Sequence, residues 1–291
     1  SSFFALLSII ISLLIPNQYT STALVTFPKD SNNITSQFSG LSSLGSLAGI
    51  SLPEDDSMRD FKEAIQFMNS KSFIFKFLDE KGYLPKIMAV KSWSASDNKF
   101  SYKEKIYNPE ENKWTREVAY PRTSKPTPSE IAKIFHKNFF SSEFSLKDET
   151  LLISFSFYSP FEAQKILDEL IKELNENLRS KKIDEIDKKI NYINEKLSSN
   201  QIESVKEFFS KELETELAKR IIAVNKTDFI FKVIDEPSLT LKKTKPSRSI
   251  IVIFSTFIGF IFSIIIISFM SILNGHDSKF NFKNRKFNEI Y

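Results

Sequence analysis

The chain has 291 residues, a net charge of +4 and no cysteine, which excludes disulfides and thiolate metal sites. Acidic and basic residues interleave and the basic excess is small, so no nucleic-acid footprint is present. The mean hydropathy of −0.21 reads as soluble only because long apolar runs are averaged with a middle rich in lysine and glutamate.

Residues 1–15 (SSFFALLSIIISLLI) carry no charge and stop at Pro16. About 15 residues is short for a complete span and suits either part of a membrane helix or a signal-peptide core. The Pro16-Asn17-Gln18-Tyr19-Thr20 that follows is a poor cleavage site. Residues 1–16 are therefore expected to form the outer part of a first transmembrane helix, truncated at its N-terminus. Residues 19–27 (YTSTALVTF) alternate and predict a strand closed by Pro28. Residues 31–51 are rich in serine and glycine, with Leu41, Leu44, Leu47 and Ile50 three apart. They read either as a loop or as a small-residue segment packed on other subunits or the membrane surface. Acids at Glu54, Asp55 and Asp56 open a helix over 58–80, and Gly82 supplies its stop.

Residues 91–120 hold both tryptophans, Trp93 and Trp114, in short polar-aromatic stretches. Sugar stacking is one use of such residues, and packing is the commoner one. Pro121, Pro126 and Pro128 mark an extended connector, a helix is expected over 129–140, and residues 150–158 (TLLISFSFY) give the clearest strand.

From 161 to 225 the pattern is helical almost throughout. Ile183, Ile186, Ile190, Ile193 and Leu197 follow three-four spacing, the seam of a coiled coil. Ser198-Ser199-Asn200 breaks the register, and Ile202, Val205, Phe209, Leu213 and Leu217 resume it. Two antiparallel helices with a tip near 198–201 are expected, the first reaching roughly 55 Å, with one continuous helix through the tip as the alternative. Their apolar stripe is too narrow for a globular core and suits packing against other copies. A return strand is expected over 227–234.

Residues 249–273 run about 25 residues without charge, against the roughly 20 needed to cross a bilayer. The run is apolar all round, unlike a core helix, and is read as a second transmembrane helix. The intervening residues 17–248 then form one domain whose two ends lie on the same face of the membrane. The short tail 274–291, with Lys279, Lys283, Arg285 and Lys286, is expected in the cytoplasm, without an output domain.

His136 and His276 lack sequence neighbours suggestive of a metal site or a triad, and no glycine-rich phosphate loop occurs. Glu173, Glu176, Asp184 and Glu185 alternate with lysines as solvated helix faces do. No enzyme activity, cofactor or metal is expected.

The arrangement resembles the Wzz-type O-antigen chain-length determinants of the polysaccharide co-polymerase family. The likeness is carried by the run from Pro16 to Ala23, by Leu47-Ala48-Gly49-Ile50-Ser51-Leu52, and by the run from Phe229 to Asp235. Most telling is the approach to the second span, where Pro237, Pro246, Ser247, Arg248 and Gly259 fit the family pattern. The pattern's second glycine is Ser263 here, still small enough for close helix approach. The resemblance implies an α+β fold: a periplasmic α/β base with a helical hairpin at about 161–225, flanked by two transmembrane helices. It also implies a ring-like homo-oligomer in the bacterial inner membrane that sets the modal length of lipopolysaccharide O-antigen made by a separate polymerase. The growing polysaccharide would be a further partner under the same resemblance. Pro237, Pro246, Ser247, Arg248, Gly259 and Ser263 would form the coupling motif toward the polymerase, and Ile183, Ile186, Ile190, Ile193 and Leu197 would be oligomer contacts. Two rival readings are a co-polymerase for capsule or exopolysaccharide export working with a separate tyrosine kinase, and a membrane-anchored adaptor of an export system.

Overall fold

The computed structural model describes residues 8–10, 12–26, 56–225 and 230–266, with 56–60 described by backbone only. It divides into two units. One joins Ser1–Gln18 to Lys242–Tyr291, and the other is Tyr19–Leu241.

The second unit is a mixed helix-and-sheet fold with one very long helix. Its sheet has four antiparallel strands in the order β6-β7-β1-β8: β1 (Tyr19–Thr26), β6 (Phe140–Ser145), β7 (Thr150–Phe157) and β8 (Lys232–Asp235). Strand β1 is central because it pairs along its full length with β7, from Tyr19 opposite Phe157 to Thr26 opposite Thr150. Period-two alternation decides which face is buried. Ala23 and Val25 of β1 and Leu151, Ile153, Phe155 and Phe157 of β7 are buried; Ser156, on the opposite face, is buried as well and shares a 2.9 Å hydroxyl contact with Thr20.

Helices α1 (Asp56–Met68), α2 (Lys71–Glu80) and α3 (Leu84–Ala89) precede two small hairpins. These are β2 (Val90–Ser94) with β3 (Lys99–Tyr102), and β4 (Tyr107–Asn108) with β5 (Lys113–Trp114). The helix expected over 58–80 is in fact two helices. The Asn69 amide donates to the Ile65 carbonyl at 2.7 Å, and the Ser70 hydroxyl accepts from the Phe73 amide at 3.3 Å. Those side chains end one helix and cap the next. Gly82, at φ +70°, supplies the stop as expected.

Helix α4 (Pro128–Ile134) begins at a capping box in which Thr127 and Glu130 satisfy each other's backbone amides. The expected helix over 129–140 is overturned at its end: residues Phe135–Phe139 form a π-turn and Phe140 starts β6. The wider turn places Phe135, Phe139 and Phe140 together in the core, where Phe135 lies 5.1 Å from Phe140 and 5.6 Å from Phe155.

Helix α5 (Pro160–Ser199) has 40 residues, about 60 Å at 1.5 Å per residue. Its first third buries Ala163, Ile166, Leu167, Leu170, Ile171 and Leu174, a stripe wide enough to cover β1 and β7. Each such fully buried aliphatic side chain contributes about 1.5–3 kcal/mol. Beyond Asn175 burial narrows to Ile186 and Ile193, seven apart, and the helix pairs with α6 (Glu203–Asn225). Asn200 ends α5, with its backbone and side-chain N–H groups both donating to the Lys196 carbonyl.

Candidate functional site

Arg220 of α6 donates to Asp187 of α5 at 2.6 Å, fixing the two helices antiparallel around the tip at 200–202. The ion pair raises the Arg220 pKa, chiefly through that hydrogen bond. Of the five seam residues on α5, Ile186 and Ile193 are buried, and Ile183, Ile190 and Leu197 are half-buried. On α6 the expected seam departs from register. Leu217 and Ile202 are exposed, at 42% and 62%, and Glu216 occupies the buried position with Ala223. The Glu216 carboxylate is 1% exposed, takes a hydrogen bond from Lys219 at 2.8 Å, and lies 3.9 Å from Lys189. Ile186 and Ile193 are thus occupied within the hairpin, and Tyr192, Phe208, Ile221 and Val224 join Ile202 and Leu217 as exposed apolar residues on it.

Asn175, which the sequence pattern hides among helix-forming residues, is 6% exposed. Its amide accepts from the Phe231 and Ile230 N–H groups and donates to the Phe231 carbonyl at 3.0 Å. It clamps the chain entering β8 onto α5. Beside it runs an open groove of about 950 Å³ between α5 and the unpaired edge of β8, lined among others by Phe161, Lys165, Asp168, Lys172 and Pro237. Pro237 is buried, and its carbonyl accepts from Gln164 at 2.9 Å.

Trp93 is half-buried, edge-on to Tyr19 at 6.2 Å and to Phe161 at 6.5 Å, and its indole N–H donates to Asn98. Trp114 packs on Tyr107 at 5.1 Å. Both tryptophans therefore serve aromatic packing. His136 is held between Phe135 and Phe140 and near the Asn69 carbonyl. Among the described residues no cluster of His, Asp and Glu could hold a metal ion. His276, the tail and residues 31–51 lie outside the described residues.

The other residues of the expected coupling motif fall in the first unit. The Gln18 amide donates to the Lys245 carbonyl at 2.9 Å, so the two ends of the chain meet there. Pro246, after a cis peptide, and Ser247 lead into α7 (Arg248–Ile266). This is the one helix among the described residues that is long and apolar enough to cross a membrane, with 19 residues and a mean hydropathy of 2.7. Its polarity is inverted relative to a soluble helix. Ile253, Phe254, Phe257, Phe260 and Ile264 are exposed, whereas Gly259 is buried and Ser263, four residues on, is half-buried. The Ser263 hydroxyl donates to the Gly259 carbonyl at 2.8 Å. The N-terminal helical residues repeat this inversion: Ser8 and Ser12 are buried while Ile9, Ile10, Leu13 and Leu14 face outward. Small residues inside and large apolar residues outside suit a lipid surround.

The family model described as "Wzz: Chain length determinant protein" matches residues 1–81. The match takes in β1, α1 and α2; the proline approach and α7 lie beyond it. No curated protein matches the chain. Among solved structures, a fragment of the WzzB polysaccharide co-polymerase from Salmonella Typhimurium is 15% identical and covers 79% of this chain and 100% of its own, with a TM-score of 0.32. A full-length bacterial polysaccharide co-polymerase is 14% identical over 96% of this chain and 94% of its own, with a TM-score of 0.28. The wild-type Shigella flexneri lipopolysaccharide O-antigen chain-length regulator is 14% identical over 78% of this chain and 100% of its own, with a TM-score of 0.22. The chain resembles the Wzz-type chain-length determinants, and the resemblance rests on residues 1–81.

Proposed function

We propose that this protein regulates the chain length of a bacterial surface polysaccharide, lipopolysaccharide O-antigen in the first instance, without catalysing polymerisation. The match of residues 1–81 to the chain length determinant family carries this reading. The inverted polarity of the first unit supports a two-pass anchor in the inner membrane, with the bulk of the chain in the periplasm. Copies of the chain assemble into a ring-like homo-oligomer. Because Ile186 and Ile193 are buried between α5 and α6, hairpin contacts between copies fall on exposed residues such as Tyr192, Phe208 and Ile221. In the membrane the partner is the polysaccharide polymerase, met through α7, with Gly259 and Ser263 setting how closely helices approach. The groove beside β8 offers the growing polymer a lining that mixes an exposed aromatic with charged groups.

The test is deletion of the gene followed by gel display of lipopolysaccharide. Loss of modal banding, restored by the intact gene, is the expected result. Unchanged lipopolysaccharide with an altered capsule would transfer the reading to capsule export, and no change in either polymer would overturn it.

A further inference from the structure

The first unit contains a pocket of about 410 Å³ lined by Ile9, Ser12 and Leu13 from the N-terminal helical residues and by Arg248, Ser249, Val252 and Ile253 from the start of α7. Two polar groups on its wall are buried and lack any hydrogen-bond partner: the Ser12 hydroxyl and the Arg248 Nε. Ser12 is 2% exposed. The Arg248 guanidinium is anchored at its other end, where Nη2 donates to the Asn17 side-chain oxygen at 3.1 Å. A buried N–H with no acceptor keeps the full cost of leaving water, and the cost is greater when the group is charged. The cost is recovered when an anionic oxygen enters the pocket.

Several features select the kind of anion. The pocket opens at the first turn of α7, whose positive dipole end favours a negative group. Lys242, Lys243 and Lys245 are exposed just before that turn, and residues 242–248 contain no acid. Apart from Ser249 the remaining lining is aliphatic, and it belongs to two segments whose outward faces are apolar. A free inorganic anion would use the polar end and leave that lining without a partner. A phosphate attached to hydrocarbon chains would use both.

We infer that Arg248 and Ser12 form a binding site for the phosphate headgroup of a membrane lipid, with its hydrocarbon lying along Ile9, Leu13, Val252 and Ile253. The guanidinium Nε–H and the Ser12 hydroxyl donate to phosphate oxygens, and Asn17 holds the guanidinium in place. The inference rests on the membrane placement proposed above but not on polysaccharide control. Lipid binding and modal banding can therefore fail independently.

The test uses the purified full chain in detergent, with bound lipid counted by native mass spectrometry. Dioleoyl phosphatidylglycerol is compared with dioleoylglycerol, which has the same chains and no phosphate, and a polyprenyl phosphate is added as competitor. The wild type is expected to retain phosphatidylglycerol and not dioleoylglycerol. Arg248→Gln is expected to lower retention about tenfold, as loss of a charge-assisted pair does. Lys99→Gln, an exposed lysine of the second unit, is expected to change it less than about twofold. Displacement by the polyprenyl phosphate supports the site and identifies that lipid as the better headgroup source; failure to displace supports it with phospholipid as the source. Ser12→Leu keeps the charge and fills the pocket, and it decides the matter if the arginine variant does not fold. Equal retention of dioleoylglycerol, or wild-type retention in Arg248→Gln or in Ser12→Leu, would overturn the inference.

Discussion

Glu130 shows how one side chain can hold a whole segment. Its carboxylate closes the capping box of α4 and pairs with Arg116 at 2.9 Å, while the same guanidinium donates to the carbonyls of Thr123, Ser124 and Lys125. The Arg116 hydrogen bond, followed by that from the Thr127 amide, lowers the Glu130 pKa from 4.5 to about 2. A depressed carboxyl pKa means the folded state prefers the ionised form. The stabilisation is therefore complete above the ordinary value and is lost as pH falls from 4.5 toward 2. Amide hydrogen exchange at 127–134 should accelerate over that interval relative to the rest of the sheet domain. Glu130→Gln should exchange faster already at neutral pH and show little further response to acid. A segment whose exchange followed acid equally in both proteins would dissociate Glu130 from the effect.

Glu216 sits 1% exposed in a seam of Ile186, Ile193 and Ala223, with one oxygen paired to Lys219 and the other without a partner. Desolvating a carboxylate for one hydrogen bond is unfavourable, and its two lysine neighbours are more than half exposed, so they return to water if it is removed. Glu216→Leu should raise the stability of the α5–α6 pair by about 1–2 kcal/mol, read as a later loss of helical circular dichroism on heating. An earlier loss would mean that the acid holds the register. The sequence could not place Glu216 inside, because the phase of α6 depends on how the tip at 200–202 sets it against α5. The tip itself was legible, since Ser198-Ser199-Asn200 breaks a helix by local chemistry, and so were Gly82 and the alternation of β7. The break at Asn69-Ser70 falls in the polar run Asn69-Ser70-Lys71-Ser72, which a single helix over 58–80 could have carried on an exposed face. The π-turn at Phe135–Phe139 was hidden because burying three phenylalanines, a tertiary demand, sets it. In the first unit the apolar run and its small residues could be read directly. The pairing of Ser12 with Arg248 across one pocket joins opposite ends of the chain, and no local pattern announces it.

At the scale of the whole molecule, the chain leaves the first unit at Gln18 and returns to it at Lys242, with β1 and β8 adjacent in the sheet between. An insertion of this kind lets a change in one unit be tested while the other remains as a folding control. Gly259 is the sharpest place to apply it. The exposed Ile258 and Phe260 on either side of it show that only one narrow face of α7 is covered, and Ser263 continues that face by turning its hydroxyl back onto the Gly259 carbonyl. A leucine there adds a side chain at the buried position of α7, and overpacking of this kind costs about 1–3 kcal/mol. Gly259→Leu should therefore abolish or shift modal banding, while proteolytic resistance and hydrogen-exchange protection of β1, β7 and α5 stay at wild-type levels. Gly259→Ala should have a smaller effect in the same direction, and Phe257→Leu, on the exposed side, should leave banding intact. Wild-type banding in Gly259→Leu would remove this face from the coupling. A loss of protection in β7 as well would instead make Gly259 a folding residue for the entire chain.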